Sequence, residues 1–456
     1  MQIGAEWHRR DPMKKVAVIG GGISGLTTAF LLGRKGLDVV VFEAAEQPGG
    51  NIQTIQKDGY TIEQGPNSLL KAPRLIDLVR MLGLEGEVVA ANPEAKKRYI
   101  LWGGKLRALG PKSFVNGYFS LKTLLSLARE PFVRSKSPEI ESVADFVSRR
   151  ISPEFLDKAI DPFVSGVYAG DPHDLSMRSA FPKLYEMERD FGSLIMGTFL
   201  RNVEKPDPSF PRTFSFRGGL RTLIEKLAAE VGDGRVRCES RVDSIEDIVG
   251  GRFGINGEEF DAVVISTPAW VAAELIRGRD ASLADTLASV NYPQVAVAVT
   301  GFKSEKIGKM LDGFGFLIPS KEKRPILGTL FHSAVFPGRA PEAYELLMTF
   351  IGGVRAGSKL DEMSDEDVQQ LVTGQLRELL NINGEADFFH LKRWERAIPQ
   401  YRVGYENVTA QCDEFHRTNS GLYFCSNFYR GISMGDCVKN AFRTADDVEN
   451  YLKNLK

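Results

Sequence analysis

Residues 16–43, VAVIGGGISGLTTAFLLGRKGLDVVVFE, leave the chain fewer options than any other stretch. An apolar run over 16–19 enters Gly20-Gly21-Gly22-Ile23-Ser24-Gly25, a helical pattern continues to about Arg34, and a second apolar run over 39–42 stops at Glu43. This predicts a strand–turn–helix–strand unit with a GxGxxG turn where such a unit builds its phosphate cradle. Gly20 permits the tight turn, Gly22 leaves a pyrophosphate room against the backbone, and Gly25 lets the helix lie close on the strand. The first helical N–H groups, around Ile23 and Ser24, lack intrahelical partners and attract the anion. Glu43 is placed to bind an adenosine ribose hydroxyl. A GxGxxG alone is a common loop; the flanking strands and the carboxylate make it a dinucleotide site.

With 456 residues, 43% hydrophobic and 26% charged, the chain has room for two or three domains. A net charge of -1 gives no bulk attraction to nucleic acid. Cys238, Cys412, Cys425 and Cys437 show neither CxxC spacing nor a dense framework, and the five scattered histidines form no metal constellation. A reducing compartment and no metal are therefore expected. Residues 1–12 lack the apolar core of a secretory signal, Met13 is an alternative start, and no apolar run is long enough to span a bilayer. Peripheral attachment stays open.

Gly49-Gly50, soon after Glu43, predict a loop returning to the pyrophosphate, as in FAD-type members of this fold, or a plain turn between strands. Residues 60–68 predict a strand entering a rigid polar turn, where Asn67 both donates and accepts. Leu75, Leu78, Val79 and Leu82 predict a helix ending at Gly83. Residues 96–105 predict a hairpin with the basic cluster Lys96-Lys97-Arg98; such charges face solvent unless an arginine points into a pocket and binds a carboxylate.

Helical runs are expected over 121–128, 143–149, 153–163 and 194–200. Within 117–133, apolar Tyr118, Phe119, Leu121, Leu124, Leu125, Leu127 and Phe132 beside Lys122, Arg129 and Arg134 fit either core packing or a membrane-facing surface. A Gly-rich turn at 216–220 precedes a helix over 222–230. Strands over 236–239, 241–245 and 261–268 return to the nucleotide fold, with the backbone at Val242 near the adenine. Strands over 295–300, 314–319, 326–331 and 346–350 follow, with a capped helix over 365–380. A buried strand over 421–428 then feeds a glycine turn and a C-terminal helix, a second anion cradle suited to the flavin side.

Taken together, these motifs resemble the FAD-dependent protoporphyrinogen oxidase family, within the amine-oxidase-like flavoproteins. The resemblance is carried, in order, by EQGPNS at 63–68, KRY at 97–99, SGVYAGD at 165–171, FRGGL at 216–220, GFGFLIP at 313–319, IPQY at 398–401 and RGISMGDC at 430–437. It implies an α/β chain with a discontinuous Rossmann-type FAD-binding domain (13–93, 204–294 and 404–456). It also implies an α+β substrate-binding domain (94–111 and 295–403) and a helical membrane-associating domain (112–203). Non-covalent FAD would touch Gly20, Gly22, Ile23, Ser24, Gly25, Glu43, Gly49, Gly50, Gly65, Pro66, Asn67, Val242, Thr267, Ile432, Ser433 and Met434. Arg98 would pair with a substrate propionate, Leu317, Leu330 and Phe350 would sandwich the tetrapyrrole, and Asn67 and Gly166 would lie near the reacting centre. The resemblance further implies a peripheral place on the cytoplasmic face of a membrane, hand-over to a ferrochelatase and a homodimer. Two departures stand out: Gln47 and Asn51 replace arginines beside the second glycine pair, and Cys425-Ser426 replace a small Gly or Ala.

The implied reaction is the six-electron oxidation of protoporphyrinogen IX to protoporphyrin IX, with hydride passing to the flavin and dioxygen yielding hydrogen peroxide. Aromatisation drives it, so no strong base is demanded, and His332, His390 and His416 lie in no nucleophile context. The alternatives are coproporphyrinogen III oxidation to coproporphyrin III, another amine or polyene oxidase of this architecture, and a non-enzymatic nucleotide-binding scaffold.

Overall fold

In the computed structural model, residues 13–134, 136–200, 207–355 and 360–455 are described. The strand Lys15–Ile19 runs parallel between Asp38–Phe42 and Ala262–Ile265, and Val236–Arg237 and Leu422–Phe424 complete a five-stranded parallel sheet. Its inner strands are buried on both faces, which is why they read as unbroken apolar runs. Val16, Val18, Val39, Val41, Ala262 and Val264 face the helices Ile23–Arg34, Arg221–Val231 and Met434–Asn454. Ala17, Ile19, Val40, Phe42, Val263 and Ile265 face the opposite way, onto the helices Ala269–Ile276, Ala281–Ala288 and Glu406–Thr418.

The strand expected over 241–245 does not form. The chain stays beside the sheet edge through Ser240, whose N–H donates to the Glu43 carbonyl, but Glu239 adopts a left-handed φ of 50° and turns the backbone away. Val242 and Ile245 are buried in the core instead.

A second, seven-stranded sheet has the order Phe388–Trp394, Val295–Lys303, Tyr344–Gly352, Ile326–Phe331, Gly313–Leu317, Lys97–Trp102, Lys105–Leu109. One face packs on the helix Asp365–Leu380, which starts in a Ser364–Asp367 capping box. The other face carries Val297, Val299, Leu330, Met348 and Phe350 and leans on Tyr60 and Ile62 of the strand Tyr60–Glu63. Phe388–Trp394 escaped the sequence because its polar and charged residues hide the alternation.

Residues 112–200 are largely helical; they bury apolar side chains such as Phe146, Leu156 and Val164 in the core, but they also enclose an ion cluster and leave many apolar side chains outside. Arg150 is 1% exposed; it bonds Glu130 at 2.5 Å and the Gly192 carbonyl at 2.6 Å, and lies 3.3 Å from Glu188. Outside, Leu121 (72% exposed) and Phe132 (81%) face away, while Thr123 and Glu130 point in. The core-packing alternative for 117–133 therefore fails for those apolar residues; only Tyr118 and Phe119 of the stretch are buried apolar side chains. The helix expected over 153–163 continues to Tyr168, through a π turn at Leu156–Ile160.

Fully buried Glu63 joins distant segments. Its carboxyl accepts the Thr54 hydroxyl (2.6 Å) and the Leu220 N–H (2.9 Å), and Thr54 Oγ1 accepts the Arg221 N–H (3.0 Å), so both fix the start of the helix Arg221–Val231. The Gly-rich turn at 216–220 is thus a packing device: a Cβ on Gly219 would meet Thr54 Cγ2 at 2.3 Å. Burial raises the Glu63 carboxyl to about 7, against the lowering pull of its hydrogen bonds and of the Arg339 charge. A folded-state pKa raised above the unfolded value contributes stability that is complete below about pH 4 and is lost as pH rises to about 7, on the order of 3 kcal/mol. Glu63→Gln keeps an acceptor oxygen without a titrating proton. Thermal melts from pH 5 to 8 should show wild type losing ground to Glu63→Gln as pH rises; parallel curves would refute the assignment.

Candidate functional site

The nucleotide end is built by backbone. Gly20 takes a φ of 107°, and a Cβ on Gly25 would lie 2.0 Å from the Gly20 carbonyl oxygen, so the helix Ile23–Arg34 rests directly on the turn. Gly22, by contrast, has nothing within 4 Å of its Cβ position. The helix start carries no side-chain cap and no acidic residue in its first turn, leaving its N–H groups to a ligand. The second glycine pair docks here: the Gly49 N–H donates to the Gly21 carbonyl at 2.8 Å, and Gly22 bridges Gly49. Glu43 accepts the Gly21 N–H (2.6 Å) and the Ala45 N–H (2.8 Å), which fixes its carboxylate at the turn with lone pairs to spare. Thr267 Oγ1 and its neighbour Ser266 Oγ are buried without a hydrogen-bond partner. An open cradle at an uncapped helix and two orphaned hydroxyls beside it fit the pyrophosphate of FAD.

The flavin-side turn is organised differently. Ser433 caps the helix Met434–Asn454 by accepting the Asp436 N–H (3.1 Å), and Asp436 puts a carboxylate in the first turn. That leaves less for a phosphate here than at Ile23, and Ile432, Ser433 and Met434 offer mainly backbone groups and apolar surface. Tyr401, reaching in from the IPQY motif, holds the turn: its hydroxyl accepts the Gly431 N–H (3.0 Å) and donates to the Asn427 carbonyl (2.7 Å).

Gly65, Pro66 and Asn67 are half-buried at the junction between the two sheets. The Gln64 carbonyl accepts the Trp394 indole N–H at 2.7 Å, and Gln64 Nε2 lies 2.8 Å from His390 Nε2. A Cβ on Gly65 would sit 2.3 Å from the Asn51 carbonyl oxygen. The loop is thereby clamped between the nucleotide half and the seven-stranded sheet.

Strand register gathers the expected substrate residues on one face of that sheet. Arg98 is opposite Gly315, Gly315 opposite Leu330, and Leu330 opposite Met348. In the next row on the same face, Ile100, Leu317, Gly328 and Phe350 follow one another. Arg98, Leu317, Leu330 and Phe350 therefore share two adjacent rows, and Gly315 and Gly328 leave those rows without side chains between them. Gly166, on the helix Asp161–Tyr168, completes the wall: its Cβ would be 2.3 Å from Leu317 Cδ2.

Several assignments are revised by the structure. Asn51 donates to the Ala397 carbonyl (3.3 Å), so it serves the domain junction. Gln47 accepts from Arg221 Nη2 at 2.6 Å, so an arginine does stand at the second glycine pair, supplied by another segment. Only the FRGGLR spacing, with a basic residue just past the turn, hinted at it. Cys425 is buried in the core beside Thr28. His332 and His416 are core histidines, as expected: burial pushes His332 down to about 3 and His416 to about 4, and His416 Nε2 accepts the Phe424 N–H.

Comparison with known proteins agrees with this layout. The sequence matches the flavin containing amine oxidoreductase family over residues 23–449. It is 34% identical to protoporphyrinogen oxidase 1, chloroplastic, of Arabidopsis thaliana, covering 95% of this chain and 88% of that protein. It is 29% identical to the coproporphyrinogen III oxidase of Bacillus subtilis (strain 168), covering 97% and 99%. The fold superposes on a crystal structure from Exiguobacterium sp. 255-15 with a TM-score of 0.80 at 25% identity, covering 97% of this chain and 100% of that one.

The two helix-start glycines predict different defects. Gly25→Ala forces Cβ onto backbone, so the apoprotein should melt several degrees lower and copurify with little flavin. Gly22→Ala meets open space, so the apoprotein melt should be unchanged while FAD affinity falls at least tenfold by fluorescence titration. Equal FAD affinity in Gly22→Ala and wild type would remove the pyrophosphate from this turn.

Proposed function

Since the chain belongs to the flavin containing amine oxidoreductase family and is an FAD-dependent oxidoreductase, we propose that it oxidises a porphyrinogen to a porphyrin in heme biosynthesis, protoporphyrinogen IX being the preferred substrate. The observation that carries this is the sheet face bearing Arg98, Leu317, Leu330 and Phe350. It is a broad apolar wall with a guanidinium at one edge, the shape and polarity of a macrocycle that is apolar across its face and carboxylated at its rim. FAD, held by the Gly20–Gly25 turn, Glu43 and the Gly49-Gly50 loop, supplies hydride-accepting redox chemistry when bound, with dioxygen as terminal oxidant.

The protein's own side chains do four things. Arg98 binds a propionate, its guanidinium lying 5.0 Å over the Phe314 ring and paired with no carboxylate among the described residues. Leu317, Leu330 and Phe350 exclude water from the ring face. Gly166 lets the helix Asp161–Tyr168 close against Leu317 without displacing it. Asn67 turns an amide with both donor and acceptor capacity toward the pyrrole N–H groups. No histidine among the described residues is placed for proton abstraction, and a substrate driven by aromatisation needs none. Coproporphyrinogen III is the second candidate, favoured by the full-length similarity to a coproporphyrinogen III oxidase.

We also propose that residues 112–200 rest on a membrane surface. Fourteen of the nineteen large apolar side chains left exposed among the described residues lie between Phe114 and Leu200, with exposed Lys112, Lys122, Arg129 and Arg134 among them. No helix among the described residues is long and apolar enough to cross a membrane.

Anaerobically prepared protoporphyrinogen and coproporphyrinogen, followed side by side by porphyrin fluorescence and peroxide release, test the substrate. Faster turnover of the dicarboxylate is expected; failure with both refutes the oxidase. Arg98→Ala should raise KM for the porphyrinogen about tenfold, and an unchanged KM would strip Arg98 of its propionate. Wild-type protein should sediment with anionic phospholipid vesicles, whereas a Phe132→Glu, Phe199→Glu double variant stays in the supernatant; equal sedimentation would refute the docking face.

A further inference from the structure

Arg98 has a cationic neighbour, Arg212, that pairs with no carboxylate among the described residues. Thr213, adjacent to Arg212, accepts the Ala91 N–H at 3.0 Å, just ahead of the strand Lys97–Trp102. Ala91 packs on the same small cluster as Phe314, the ring beneath Arg98. The strand Thr213–Phe216, which Arg212 directly precedes, is therefore stitched to the edge of the face that holds Arg98. Both residues are exposed overall, and neither guanidinium meets a carboxylate among the described residues. Their basic neighbours are engaged: Lys97 is paired with Asp312, Arg217 faces Glu87 at 3.7 Å, and Arg339 is buried on the Phe216 carbonyl. Partial burial and the Arg212 charge together hold the Arg98 pKa down. Two like charges at one rim, with no acid paired to either among the described residues, are unfavourable until an anion arrives.

We propose that Arg212 is a second substrate-binding guanidinium, forming with Arg98 a clamp for two neighbouring propionate carboxylates at the rim of the apolar face. This rests on the porphyrinogen oxidase function proposed above. Two carboxylates on adjacent pyrroles match two guanidiniums, and the rest of the macrocycle then lies against Leu317, Leu330 and Phe350. Further carboxylates on the far edge would be turned toward those apolar walls, where an unpaired charge is costly. The clamp thus selects a dicarboxylate over a tetracarboxylate.

The test is steady-state kinetics of the FAD-loaded full chain with protoporphyrinogen and with its dimethyl ester, which lacks the charges. Arg212→Gln should raise KM for the acid about five- to tenfold and leave KM for the ester unchanged, with Arg212→Lys intermediate. Arg217→Gln, a nearby surface charge, should change neither. Quenching titrations with protoporphyrin should give the same ranking without turnover. If wild type turns over the acid but Arg212→Gln matches it in KM and porphyrin affinity, the clamp is overturned and the oxidase function stands. Equal losses for acid and ester would make Arg212 a packing residue and also overturn the clamp. No turnover by wild type overturns the oxidase function, and the clamp with it.

Discussion

The contact on which most of the molecule depends is the one between the Gly20 carbonyl and Gly25, where a Cβ would stand 2.0 Å from oxygen. It sets the helix Ile23–Arg34 flush on the central strand. From there the order follows: the free N–H groups of the helix face the space at Gly22, Gly49 closes on Gly21, and Glu43 is pinned by the Gly21 N–H. The same helix packs against Arg221–Val231 and Met434–Asn454, so the three stretches of chain that make the nucleotide half converge on one surface.

Features written in local pattern were legible in the sequence. The glycine turn, the parallel strands, the helix Asp365–Leu380 with its capping box, and Ile326–Phe331 all announce themselves through period, capping or an unbroken apolar run. What escaped depends on partners far along the chain. Glu239 turns left-handed and ends a strand that β-branched residues seemed to continue. Phe388–Trp394 is a strand because Val295–Lys303 lies beside it. Arg221 reaches Gln47 across more of the sequence than any motif spans, so the missing arginines beside Gly49-Gly50 looked like a plain loss.

The sheet face proposed for substrate shows the same division. Arg98, Leu317, Leu330 and Phe350 were assigned through family resemblance, since nothing in their own neighbourhoods marks them as neighbours of one another. Register is what unites them, and register is fixed by pairings among four strands, one of which comes from the first quarter of the chain. Gly315 and Gly328 matter to this face for what they omit. Each lies in a row of bulky residues, and a β-carbon on either would strike backbone of the adjacent strand within 2.5 Å. The close approach of the strands along these rows is therefore a property of the backbone itself.

Glu130, Arg150 and Glu188 sit inside residues 112–200 while Leu121, Phe132 and Phe199 stand outside. A buried ion cluster adds little net stability, but it does specify one arrangement of the helices around it. Architecture and surface are consequently written in separate residues: the ion cluster and the buried apolar side chains hold the helices, and the exposed apolar side chains are free of that duty. Those exposed positions can be rewritten, and the helices beneath them will keep the wall they present to Leu317.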